Sequence, residues 1–130
     1  MTNPVVLDTN VLVSALISPD GNPARIFGMV SEGIIKAVYC QGILDEYAKV
    51  LNRPRFGFPR ILVTDALDIF RLFGVSMQPV ISNIPMPDES DRVFCDTAIA
   101  GAAILVTGNT KHYPAEPFII SPAGYIERFG

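Results

Sequence analysis

The chain has 130 residues, of which 49 % are hydrophobic, and a formal net charge of −3. That length suits one compact domain over residues 1–130 with an adequate core, and the lack of a basic excess means that any nucleic-acid contact must be local. The longest apolar run, Ala98 to Val106, is far below the roughly 20 residues of a membrane span, and Met1-Thr2-Asn3-Pro4 opens no secretion signal, so a soluble cytoplasmic protein is expected.

Val5-Val6-Leu7 reads as a buried strand that stops at the polar Asp8-Thr9-Asn10. Val11 to Ile17 forms a helix, and Ser18-Pro19-Asp20-Gly21-Asn22-Pro23 breaks it. Pro23 suits the first turn of a second helix, which carries Ile26, Phe27 and Val30 and closes at Gly33. A strand over Lys36 to Cys40 follows, then a helix from Gln41 to Arg53 with Ile43, Leu44, Tyr47, Val50 and Leu51 on one stripe. Pro54 ends it. The next helix is expected near Thr64, whose hydroxyl is the predicted cap, and stops at Gly74.

Val75 to Val80 reads as a strand, and the Pro-rich, acidic stretch Asn83 to Glu89 as a loop. Ser90 or Asp91 is the predicted cap of a helix running through Ala103. Ile104-Leu105-Val106 and Phe118-Ile119-Ile120 are strands, and Pro122 to Phe129 is a terminal helix. Strands alternating with helices predict an α/β fold whose parallel sheet is covered on both faces. Cys40 and Cys95 form no C-x-x-C pair and read as reduced packing residues.

Four acids fall at strand ends or helix starts: Asp8, Glu46, Asp91 and Asp96. Each has a plain reading beside a functional one. Asp8 suits a helix cap as well as a site at the carboxyl end of a parallel strand, where such sheets bind ligands. Glu46 alone suits a solvated helix face. Asp91 and Asp96 are five residues apart, about one and a half turns, so they do not share one helix face. Asp96 interrupts apolar neighbours, where an idle buried charge costs stability.

Carboxylates gathered in a cleft repel one another, and a hard divalent cation relieves the repulsion. Mg²⁺ favours sparse carboxylate ligation and accepts phosphate oxygens, which points to phosphodiester hydrolysis.

Asp8-Thr9-Asn10, Glu46 within Leu44-Asp45-Glu46-Tyr47, Asp91 to Ala98 and Thr107-Gly108-Asn109 together resemble the motifs of a PIN domain. The resemblance spans nearly the whole chain. Val50-Leu51-Asn52-Arg53-Pro54-Arg55-Phe56 is similar to the matching stretch of bacterial VapC-type toxins.

The resemblance implies a three-layer α/β/α fold with a central parallel sheet and a ribonuclease site that uses Mg²⁺ or Mn²⁺. By position it makes Asp8, Glu46 and Asp96 the principal metal ligands and Asp91 an additional acid, with Asn10 and Ser14 supporting the first carboxylate. It also implies a homodimer and an antitoxin partner whose tail enters the site. Where many PIN domains have a further Asp, this chain has Asn109, an amide without charge, beside Thr107.

Lys49, Arg53, Arg55 and Arg60 supply four of the ten Lys and Arg residues within a stretch free of acids, and Lys111 lies just beyond Asn109. These are the candidate RNA contacts. Phe56 and Phe58 interleave with the arginines and fit either base stacking or core packing. His112 is the only histidine and receives no general-base role; Arg92 reads as an ion-pair residue.

The expected activity is endoribonuclease cleavage of single-stranded RNA by the toxin of a toxin–antitoxin pair. Two rivals stand beside it: a PIN module that binds RNA or an antitoxin without cutting, and an aspartate-nucleophile phosphohydrolase. The second lacks its expected Asp two positions after the first, where Asn10 stands.

Overall fold

A computed structural model describes residues 3–130. In chain order the elements are β1 (Val5–Leu7), α1 (Thr9–Ile17), α2 (Asn22–Ser31), β2 (Val38–Tyr39), α3 (Gln41–Leu51), α4 (Arg60–Phe73), β3 (Val75–Ser76), α5 (Arg92–Ala100), β4 (Ile104–Val106), β5 (Ile119–Ile120) and α6 (Pro122–Phe129). Short 3-10 turns occupy Pro54–Phe56, Glu89–Asp91 and Thr110–His112.

Among the described residues every strand pair is parallel. β4 lies between β1 and β5, with Val6 opposite Leu105 and Val106 opposite Ile120. β2 pairs with β3, and a bridge from Val5 to Ala37, with Val5 N–H donating to the Lys36 carbonyl at 2.9 Å, attaches that pair to the free side of β1. The order is therefore β3-β2-β1-β4-β5. From β1 the chain first builds outward through β2 and β3, then returns to the other flank as β4. The crevice between the carboxyl ends of β1 and β4 is thus the topological switch point, where open α/β sheets bind ligands.

Among the described residues six helices cover this sheet in a three-layer α/β/α arrangement. The strands β1 and β4 are wholly buried apolar triplets, as parallel strands between helix layers must be. Tyr47 of α3 sits at the junction of three helices, its ring 4.9 Å from Phe70 of α4 and 6.4 Å from Phe94 of α5. Its hydroxyl donates to the Leu7 carbonyl at 2.5 Å, so the last peptide of β1 is held from inside the core. Both cysteines are free and buried. No helix of the described residues is long and apolar enough to cross a membrane.

Several boundaries differ from those expected. α4 starts at Arg60 behind Pro59, so Thr64 lies inside the helix and caps nothing. Proline enters a helix start without loss because its missing N–H has no partner there, and the buried stripe of Val63, Ala66, Leu67 and Phe70 begins one turn earlier than Thr64 suggested. β3 pairs only over Val75–Ser76, ahead of Pro79, which has no N–H for a ladder.

α5 stops at Ala100 rather than Ala103. Ala103 N–H donates to the Ala98 carbonyl at 2.8 Å and Ala102 N–H to Ile99 at 3.2 Å, the two bonds of a Schellman end. Ala102 takes the left-handed conformation, φ +50°. Gly101 is needed for a different reason: a Cβ there would stand 2.8 Å from Val38 Cγ1. Relieving the alanine strain predicts that Ala102→Gly stabilises the protein by about 0.5–1 kcal/mol, whereas Gly101→Ala destabilises it. Urea unfolding of the two variants checks both signs.

Candidate active site

Asp8 leaves β1 at the switch point, and the strand behind it fixes its backbone: Asp8 N–H donates to the Val106 carbonyl at 2.9 Å. The residue is only 7 % exposed. It occupies the cap position of α1, yet its side chain makes no capping bond. Instead Oδ2 accepts from the Thr107 hydroxyl at 2.8 Å, the Tyr113 hydroxyl at 3.0 Å and Asn10 Nδ2 at 3.4 Å. Those donors come from the ends of β4 and α1 and from the loop after the Thr110–His112 turn.

The frame is cross-braced. Asn10 Oδ1 accepts from Gly108 N–H at 2.9 Å, and the Thr107 hydroxyl accepts from Asn109 N–H at 3.1 Å while donating to Asp8. Burial pushes the Asp8 carboxyl above its ordinary range, and the Thr107 and Tyr113 bonds pull it partly back. With Oδ2 engaged by these three side chains, Oδ1 is the oxygen available to the cleft. Tyr113 is 4 % exposed and was not foreseen as a partner; its place in the loop after β4 was the only signal.

Glu46 from α3 and Asp91 at the start of α5 line the same cleft as Asp8, a space of about 380 Å³. Arg53, Arg55 and His112 line it too, so acidic and basic groups face one volume. Asp91 is pushed up to about 6, first by desolvation, then by the negative charges of Asp8 and Asp88, with His112 opposing and Glu46 adding to the rise. Repulsion among the acids is therefore felt across the cleft. Among the described residues no three His, Cys, Asp or Glu side chains converge on one metal position. The acids share the space without closing a cage.

Asp96 is elsewhere. It is buried in α5, Oδ2 accepts from Ser82 N–H at 3.1 Å, and Oδ1 has no hydrogen-bond partner. Arg92, one turn earlier, donates to the carbonyls of Ser82 and Ile84, both at 2.8 Å, and forms a bidentate pair with Glu89 at 2.6 and 2.8 Å. Together Asp96 and Arg92 strap residues 82–84 to α5. Asp91, expected as the additional acid, stands at the cap position ahead of α5 and shares the cleft with Asp8 and Glu46.

The remaining candidates divide. Ser14 lines the cleft, Asn10 braces it, and Thr107 is a buried partner of Asp8. Asn109 contributes its backbone N–H to Thr107. Arg53 and Arg55 line the cleft, whereas Lys49, Arg60 and Lys111 are exposed residues outside its lining.

The Asp91 shift fixes a pH dependence. Below the unfolded carboxyl value of about 4, Asp91 is protonated in both states and adds no penalty. As pH rises through about 6 the folded protein loses a proton that its surroundings favour, and stability falls. Asp91→Asn is expected to be more stable than wild type at pH 8 by on the order of 1 kcal/mol, a figure discounted for solvent screening. The difference disappears below about pH 4, as urea titrations across that range would show.

A family model described as PIN domain matches residues 4–111. The chain is also 33 % identical over 110 residues to an uncharacterized protein of Methanocaldococcus jannaschii, the match covering 81 % of this chain and 70 % of that one. PIN domains are commonly nucleases, which agrees with a cleft of carboxylates and arginines at the switch point of a parallel sheet. The chain belongs to the PIN domain family.

Proposed function

We propose that the protein is a Mg²⁺- or Mn²⁺-dependent endoribonuclease acting on single-stranded RNA. The observation that carries this reading is the joint placement of Asp8, Glu46 and Asp91 in one cleft with Arg53 and Arg55. The donor set suits a hard cation: Mg²⁺ takes one or two carboxylates and completes its shell with water and substrate phosphate, so it does not require a closed protein cage. The raised titration of Asp8 and Asp91 supports the same fit, because a cation offsets the desolvation and repulsion that raise them.

Asp8, Glu46 and Asp91 would share in holding the ion, one or two of them directly and the rest through its waters. When bound, it supplies positive charge for the phosphodiester and a means of activating water. The chain's own groups do the rest. Thr107, Tyr113 and Asn10 fix the Asp8 carboxylate, so its free oxygen meets the cleft in one orientation. Arg53 and Arg55 hold the non-bridging phosphate oxygens, and their permanent charge counters the acids that would repel RNA. Asp96 and Arg92 keep residues 82–84 against α5, and so set the position from which Asp91 enters the site.

The reading extends to the toxin of a toxin–antitoxin pair, a homodimer in the cytoplasm, on the likeness of residues 50–56 to VapC-type toxins. A PIN module that binds RNA without cutting is the second reading, favoured by Asn109 and by the absence of three converging ligands among the described residues.

Sequencing the RNA ends left by wild type and by Asp8→Asn separates the two readings. Cleavage at defined positions that chelation abolishes and that Asp8→Asn lowers by at least roughly a hundredfold is expected. Equal cleavage by a clean preparation of the variant would falsify the assignment, and no cleavage by wild type favours the binding module. Thr107→Val, which removes the 2.8 Å bond to Asp8, is expected to cost about 10- to 100-fold in rate. Unchanged kcat/KM would contradict its part in holding Asp8.

A further inference from the structure

The loop after α3 carries two phenylalanines that the fold uses differently. Phe58 packs against the hydrophobic core. Phe56 is half-buried, lies outside the core and lines the cleft that holds Asp8, Glu46 and Asp91. The rings are nearly parallel, with centroids 5.5 Å apart and an interplanar angle of 12°. Gly57 makes this pairing feasible by turning the chain in the left-handed conformation, φ +63°. Phe58 therefore anchors Phe56 in a fixed orientation.

The guanidinium of Arg55 lies over the Phe56 ring, 4.9 Å from its centroid. A planar cation resting on an aromatic ring occupies the place that a planar base would take, and arginine and bases stack on such rings by related forces. Arg55 is exposed, and among the described residues its side chain makes no hydrogen bond or salt bridge, so little but the ring holds it there. Phe56 is the one phenyl ring in the lining of a cleft made mostly of polar and charged side chains, and it lies outside the core that Phe58 packs against.

We infer that Phe56 is a stacking platform for an unpaired nucleobase beside the phosphodiester held in the cleft, with Arg55 leaving the ring for the phosphate as the base arrives. The assignment rests on the ribonuclease reading and adds a cause for single-strand preference. In a duplex the base faces are already stacked on their neighbours, and the platform has nothing to accept.

The test is equilibrium binding, by fluorescence anisotropy, of a labelled single-stranded oligoribonucleotide of about ten nucleotides. All proteins carry Asp8→Asn, so the RNA stays intact. Phe56→Leu is expected to weaken binding roughly 5- to 100-fold, and Phe56→Trp to keep or tighten it. Against the same oligomer with its bases removed, Phe56→Leu and the Phe56 protein should bind alike. Equal affinity of the Leu and Phe proteins for the intact RNA, or an equal loss on the abasic RNA, overturns the platform and leaves the nuclease reading standing. No cleavage and no binding of any oligomer by the wild-type chain at millimolar Mg²⁺ overturns the reading on which the platform rests.

Discussion

A carboxylate kept in a nearly dry strand end is the constraint on which the rest of the site depends. Removing Asp8 from water costs free energy, and the protein offsets only part of it with the Thr107, Tyr113 and Asn10 bonds to one oxygen. To supply those donors, β4 must lie beside β1 in register, and the loop after it must bring Tyr113 back over the same point. The Tyr47 hydroxyl performs the matching task from below, holding the Leu7 carbonyl just before the carboxylate. Core, sheet register and site geometry are one problem at this residue.

Electrostatics then divide the labour among the acids. Asp91 faces the same volume as Asp8 and Glu46, and desolvation first, then their charge, makes it harder to ionise. Asp96 escapes this conflict by turning to the Ser82 amide. Its second oxygen remains without a partner, which shows that the strap is not a complete solution for a buried carboxylate. Arg53 and Arg55 give a protein of net charge −3 a local positive patch in the lining of the cleft.

Much of this was legible in the sequence because local rules governed it. An apolar triplet followed by Asp8 marked both β1 and its end, and the stretch from Pro122 to Phe129 was readable as α6; the Ser121 hydroxyl that caps it, accepting from Gly124 N–H at 3.0 Å, emerges only in the structure. The α4 start was misplaced because Thr64 is a good cap by type, while Pro59 decided the boundary. Tyr47 and Tyr113 were missed as partners of the β1 end for a different reason. Each is far from it in sequence, and nothing local tells a packing tyrosine from one that donates to a strand end. The spacing of Asp91 and Asp96 said that they face different ways. Which one faces the cleft was settled by residues 82–84, an extended stretch with no periodicity of its own.

In the proposed reading Asp8, Glu46 and Asp91, and not Asp96, form the cation-binding side of the cleft. Calorimetric titration of Mn²⁺ into wild type, Glu46→Gln, Asp91→Asn and Asp96→Asn tests it without reference to catalysis. Weakened or lost binding is expected for Glu46→Gln and Asp91→Asn, and near wild-type binding for Asp96→Asn, whose amide oxygen still accepts from Ser82. Binding that survives Asp91→Asn and disappears with Asp96→Asn would contradict it.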